Sequence, residues 1–101
     1  MRMLLKVGMP HEPFNTLVRK GKADGILKRI LADIKPEAAY FTEIEGKRTA
    51  ILIIDLPEAS RIPSIVEPFF LQFNADCKFH PVMLPDDLGK AGLEKLGKKW
   101  K

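Results

Sequence analysis

Residues 49–56 read TAILIIDL. Ala50 to Ile54 form an unbroken apolar run, bounded by Thr49 and Asp55. Successive side chains of a strand point to opposite faces, so Ile51 and Ile53 go to one side and Leu52 and Ile54 to the other. A strand that is apolar on both sides belongs in the middle of a sheet, covered above and below. The preceding residues, EAAYFTEI (37–44) and EGKR (45–48), read as a partner strand and a tight turn supplied by Gly46. The centre of the fold is therefore a hairpin whose second strand lies inside a sheet.

The rest of the chain extends this pattern in both directions. Met3, Leu5, Val7 and Met9 alternate with Arg2, Leu4, Lys6 and Gly8, the period of a half-buried strand. From Phe14 the spacing becomes helical, through Leu17, Val18, Leu27, Ile30, Leu31 and Ile34. GKADG (21–25) is poor helix material, which predicts a loose start or two pieces, and Lys35-Pro36 stops the helix. Ile62, Ile65, Val66, Phe69, Phe70 and Phe73 trace a second helical stripe, with Pro63 suited to its first turn. Pro68 inside that stripe predicts a kink or a division. KFHPVM (78–83) is a fourth strand. Pro85, Asp86 and Asp87 open a short last helix, which Leu88, Leu93, Leu96 and Trp100 would dock and Gly89, Gly92 and Gly97 weaken.

The order β-α-β-β-α-β predicts a single α+β domain over residues 1–101, ferredoxin-like. It has a four-stranded antiparallel sheet, helices on one face and an extra C-terminal helix. The helices leave the other sheet face bare. One side of TAILIID, together with Leu4, Tyr40 or Phe41, and Val82, makes that face apolar, which is a liability in a monomer. The expected remedy is a homodimer packed sheet to sheet.

Bulk properties narrow the function classes. At 101 residues with 46% hydrophobic and 30% charged side chains, the composition is that of a soluble globular domain. No apolar run nears the ~20 residues that span a bilayer, and MRMLLKVGMP is too interrupted for a signal peptide. The lone Cys77 precludes an internal disulfide and suits a reducing compartment, so the expected location is cytoplasmic, with no membrane partner. Net charge is +4, from 17 basic and 13 acidic residues. The basic clusters RKGK (19–22) and KLGKKWK (95–101) read as solvated surface. KRTAILIIDL carries aliphatics where RNA-recognition modules carry stacking aromatics, so no nucleic-acid partner is expected.

The stretches HEPFN (11–15), LKRILADIKPEAAYFTE (27–43), GKRTAILIIDL (46–56), IPSIVEPFFLQFNA (62–75) and HPVMLPDDLGKAG (80–92) resemble an uncharacterised bacterial family of small ferredoxin-like proteins in the dimeric α+β barrel superfamily. The resemblance covers nearly the whole chain and implies the fold and the homodimer, and no activity. That superfamily includes cofactor-independent monooxygenases, lactone isomerases, haem-degrading proteins and effector-binding domains, and fold alone does not choose among them. One departure is Leu84, where the family tends to carry a Thr that would cap the last helix.

Candidate chemistry is sparse. Cys77 and His80 are three apart within a strand and so point to opposite faces, which argues against a nucleophile pair or a metal site. No metal and no cofactor are expected. His80 alone is suited to proton transfer near neutral pH. Pairing the first and last strands end to end places it near Lys6 on the bare face, with Tyr40 or Thr42, and Arg2, sharing that face. Leu4, Leu52, Ile54 and Val82 would line a cleft there between two packed sheets, the makings of a small-molecule site. His11, between Pro10 and Pro13, is a further loop candidate. Three functions follow: binding of a small hydrophobic ligand in the cleft, a cofactor-independent monooxygenase- or isomerase-like enzyme using His80 with Lys6 and Tyr40, or dimerisation or partner binding alone.

Overall fold

A computed structural model describes residues 1–101. The chain is an α+β fold with one four-stranded antiparallel sheet. In chain order the elements are β1 (Arg2–Met9), α1 (His11–Arg19), α2 (Ala23–Ile34), β2 (Ala38–Ile44), β3 (Lys47–Asp55), α3 (Ile62–Phe73), β4 (Asp76–Pro81), α4 (Pro85–Lys90) and α5 (Leu93–Lys99). The sheet order is β2-β3-β1-β4, so TAILIID does occupy an interior strand.

Pairing β1 with β3 fixes the phase of both. Leu5 stands opposite Leu52, Met3 opposite Ile54 and Val7 opposite Ala50. These side chains share one face, and they are buried against Phe14, Ile30, Ile65, Val66, Phe69 and Phe73 of α1, α2 and α3. Phe14 stacks on Phe73 at 5.0 Å between ring centroids, and the Arg48 guanidinium lies 4.5 Å above Phe14. Arg48 also donates to Asn15 Oδ1 at 2.7 Å, so one side chain closes the end of the core with its charge satisfied.

Turn chemistry explains the breaks. Ile44 pairs with Lys47, leaving Glu45 and Gly46 as a two-residue loop with φ of 55° and 77°, the type I′ geometry that matches strand twist. Gly21, at φ 70°, divides the predicted long helix into α1 and α2. Within α1, Glu12 is still extended, and its carboxylate accepts the Thr16 hydroxyl at 2.6 Å and the Thr16 N–H at 3.2 Å. That bonding, helped by Arg19 and Arg48 nearby, holds the Glu12 carboxyl below its ordinary range. Glu12 is thus a helix-start residue. Pro68 neither divides nor ends α3, which is one helix from Ile62 to Phe73. The carbonyl that loses its donor to Pro68 belongs to Ser64, which is exposed to solvent, so the loss is tolerated.

One feature of the sheet is unexpected, and one expectation needs correction. The helix layer stops short of edge strand β2: Ala39 and Phe41 point to the helix side yet remain exposed, and Tyr40 is exposed on the other side. The last helix is two short helices, parted at Gly92 (φ 71°), and it does not dock on the body. Every residue from Met83 to Lys101 is exposed except Gly92. The radius of gyration is 17.1 Å, against about 13 Å for a compact chain of this length, and the longest dimension is 59 Å. Residues 83–101 form an arm.

Leu84 sits at the N-cap of α4. The Asp87 carboxylate reaches back to the Leu84 N–H at 2.8 Å, but Leu84 has no side-chain oxygen to return the bond. Leu84→Thr supplies it, and slower amide exchange across α4, by about 1 kcal/mol of added helix stability, is the expected result. In the core, Leu52→Ala is expected to cost about 2–5 kcal/mol in urea unfolding, whereas exposed Thr42→Ala stays within about 0.5 kcal/mol.

Candidate functional site

The face of the sheet opposite the helices is bare. Strand alternation and register organise it into rows that run across β2, β3, β1 and β4. One row is Ala38, Ile53, Leu4 and His80; the next is Tyr40, Ile51, Lys6 and Lys78; the third is Thr42, Thr49, Gly8 and Asp76. Val82 continues beyond β4, its N–H donating to the Arg2 carbonyl at 3.2 Å. The first row is apolar at its centre, the second brings Lys6 and Lys78 together beside Ile51, and the third is polar and ends in Asp76.

These rows revise the expected site. Leu52 and Ile54 are fully buried on the helix side, and it is Ile51 and Ile53 that line the open face. A run of apolar residues fits either phase equally, and only its pairing with β1 decides between them. His80 stands opposite Leu4, while Lys6 stands opposite Lys78, so His80 and Lys6 are diagonal neighbours. Tyr40 shares the row of Lys6 but is separated from it by Ile51, and His80 lies on the far edge strand, roughly 14 Å from β2 at ~4.8 Å per strand. No hydrogen bond within the chain orients the His80 imidazole. His11 is exposed in α1, past the other end of β1, and is not part of this face. Arg2 is engaged by Glu37, its Nε lying 3.0 Å and 3.2 Å from the two carboxylate oxygens.

Cys77 stands opposite Val7 on the helix side, away from His80. Burial, and secondarily the Asp76 charge, pushes its thiol up to about 11. A thiol so placed is a packing group and a poor nucleophile at neutral pH. Nowhere do three His, Cys, Asp or Glu side chains converge as metal ligands would.

A hollow of about 120 Å³ lies over the third row. Lys6, Lys47 and Lys78 stand around it with Asp76 and Glu45, and Gly8 and Thr49 lie among them. Gly8 has no side chain, and a Cβ built there would meet nothing within 4 Å, so this strand position leaves open space at the hollow. Thr49 is buried, its hydroxyl donating to the Lys47 carbonyl at 3.1 Å. The side-chain ion pairs of the chain, Arg2–Glu37, Arg19–Glu12 and Lys28–Asp24, include none of these three lysines. Lys6 and Lys78 therefore face each other across a strand pair with no carboxylate in contact, an arrangement that repels. Lys47 and the Lys6–Lys78 pairing are the features that sequence reading misses. Alternation in KFHPVM does put Lys78 beside His80, but the register against β1 is needed to pair it with Lys6.

No known protein family matches the chain, and no curated protein is similar to it in sequence. No helix is long and apolar enough to cross a membrane.

The Cys77 environment has a measurable consequence. Because the folded pKa lies above the ordinary 9.0, the stability contributed by the protonated thiol is complete below that value and lost as pH rises through about 11. At pH 8 the native protein should react with a disulfide reagent far more slowly than the urea-unfolded chain. Equal rates would show that the thiol is free.

Proposed function

We propose that the chain is a ferredoxin-like homodimer, of the dimeric α+β barrel kind, that binds a small apolar ligand carrying an acidic group. The two open sheet faces pack on one another and leave a cleft between them. The observation that carries this reading is a pair of opposed lysines set directly beside an apolar row on one open face. Leu4, Ile51 and Ile53 offer the hydrophobic wall, and the opposed Lys6 and Lys78 offer the positive charge in the same or the adjacent row. Mostly apolar walls with a few placed polar groups are the usual composition of a small-molecule site. An acid bound between Lys6 and Lys78 would also relieve the repulsion that the empty pair suffers.

The strand order β2-β3-β1-β4, with α1 and α2 before β2 and α3 before β4, supports the ferredoxin-like assignment, α1 and α2 standing where one crossover helix is expected. The half-buried aliphatics of the open face, together with exposed Tyr40, support the sheet-to-sheet dimer. Binding is favoured over catalysis by His80, because that imidazole has no orienting partner and stands an entire sheet width from Tyr40.

Sedimentation at micromolar concentration is expected to give a dimer, and a clean monomer removes the enclosed cleft. Thermal-shift screening should favour medium-chain and aromatic carboxylic acids over their amides. Lys6→Gln and Lys78→Gln should each weaken the acid by about 10- to 100-fold, the loss of one charge-assisted contact, and leave the amide unchanged. Equal losses for acid and amide would assign the lysines no role in recognising the acid.

A further inference from the structure

The open face is a grid of side chains with one position empty. Gly8 of β1 stands between Thr49 of β3 and Asp76 of β4. In the next row Lys6 stands between Ile51 and Lys78, so those two residues lie on the diagonals of Gly8. Positions on such a grid are roughly 7 Å apart along a strand and ~4.8 Å apart across strands. A small molecule seated over Gly8 therefore has a carboxylate on one side, two ammonium groups at one end and an isoleucine at a corner. All of these groups belong to one chain.

The space there exceeds the hollow over the third row. A second hollow, of about 300 Å³, adjoins the first at Gly8, Lys47 and Asp76 and continues to Pro10, Asn74 and Ala75. That volume is at the lower end of the ~300–1,000 Å³ usual for small-molecule sites. Asp76 lines both hollows, so the wall they share carries a carboxylate as well as the Lys47 ammonium.

A ligand that carries only an acid leaves this carboxylate without a use. Held between Lys6 and Lys78, the acid would sit one row from Asp76, with Glu45 also on the hollow, and like charges so close oppose binding. Neither carboxylate is offset from within, because no ion pair joins Asp76 or Glu45 to any lysine of the hollow. An amine on the ligand reverses the sign of the interaction. An α-amino acid bears its amine and its acid on one carbon. With that carbon over Gly8, the carboxylate turns toward Lys6 and Lys78 and the ammonium toward Asp76. The side chain is then left to run over Ile51 toward Leu4 and Ile53.

We infer that the site takes a free α-amino acid with an apolar side chain, its carboxylate on Lys6 and Lys78 and its ammonium on Asp76. The inference rests on the acid-binding reading above and adds the amine and the residue that receives it. Blocking either end of the amino acid removes one of the two charge-assisted contacts.

Isothermal titration of the full-length chain at neutral pH, with two matched series of ligands, tests this. One is L-phenylalanine, hydrocinnamate and phenethylamine; the other is L-leucine, isocaproate and isoamylamine. In each series the second compound lacks the amine and the third lacks the acid. In at least one series the amino acid is expected to bind about 10- to 100-fold more tightly than either analogue. Asp76→Asn, at an exposed position, is expected to abolish the preference over the acid without weakening the acid itself. In both series, an acid that binds as tightly as its amino acid overturns the inference and leaves the acid-binding reading standing. An amine that binds as tightly as its amino acid overturns both, since the lysines then contribute nothing. Absence of binding by every compound overturns both as well. An Asp76→Asn chain that keeps the preference for the amino acid overturns the assignment of the ammonium to Asp76, and the ligand comparison on the native chain needs no variant at all.

Discussion

The antiparallel pairing of β1 with β3 is the constraint from which the rest of the molecule follows. With Leu5 opposite Leu52, four side chains of β1 and four of β3, Arg48 among them, are committed to the helix side, where Phe69 and Phe73 fill the space above them. A slip of one residue would turn this whole set outward. The same pairing sends Leu4, Lys6 and Gly8 to the other face, beside Ile51, Ile53 and Thr49. Core and candidate site are two sides of one register.

The two sides are built on different principles. The helix side is dense and apolar, and its one charged visitor, Arg48, is held by Asn15 and an aromatic face. The open side is stable only in part. Lysines directly opposed on neighbouring strands cost roughly 0.2–1 kcal/mol, and half-buried isoleucines gain the rest of their transfer energy only when covered. Departures from local optimum of this sort collect where a protein meets something else.

Much of this was legible in the sequence. Periodicity found all four strands, both helical stripes and the interior place of TAILIID, because period 2 and period 3.6 leave distinct traces in a short chain. Three matters were not legible, each for a physical reason. The phase of an all-apolar strand carries no signal of its own, so Leu52 and Ile54 were expected on the face that Ile51 and Ile53 occupy. Proline cost depends on whether the orphaned carbonyl meets solvent, which the one-dimensional pattern of α3 does not report. The spacing of Leu88, Leu93, Leu96 and Trp100 announces an amphipathic segment but says nothing about which surface receives it, and the body of the chain does not. For the site, His80 and Lys6 were assigned to the one face they share, yet the pairing of His80 with Leu4 and of Lys6 with Lys78 depends on the strand register, which periodicity does not carry.

Gly8 ties these themes together. It is a glycine in the interior of a strand that is paired on both sides, with ordinary strand geometry and open space where a side chain would go. Strand propensity and chain entropy both argue for a β-branched residue there. A valine would fit the backbone without strain and would be expected to make the sheet more stable. It would also project into the hollow between Lys6, Lys47 and Lys78 and narrow it. In evolutionary terms, then, this position sets stability against cavity: a change that would strengthen the strand would also narrow the hollow beside the lysines.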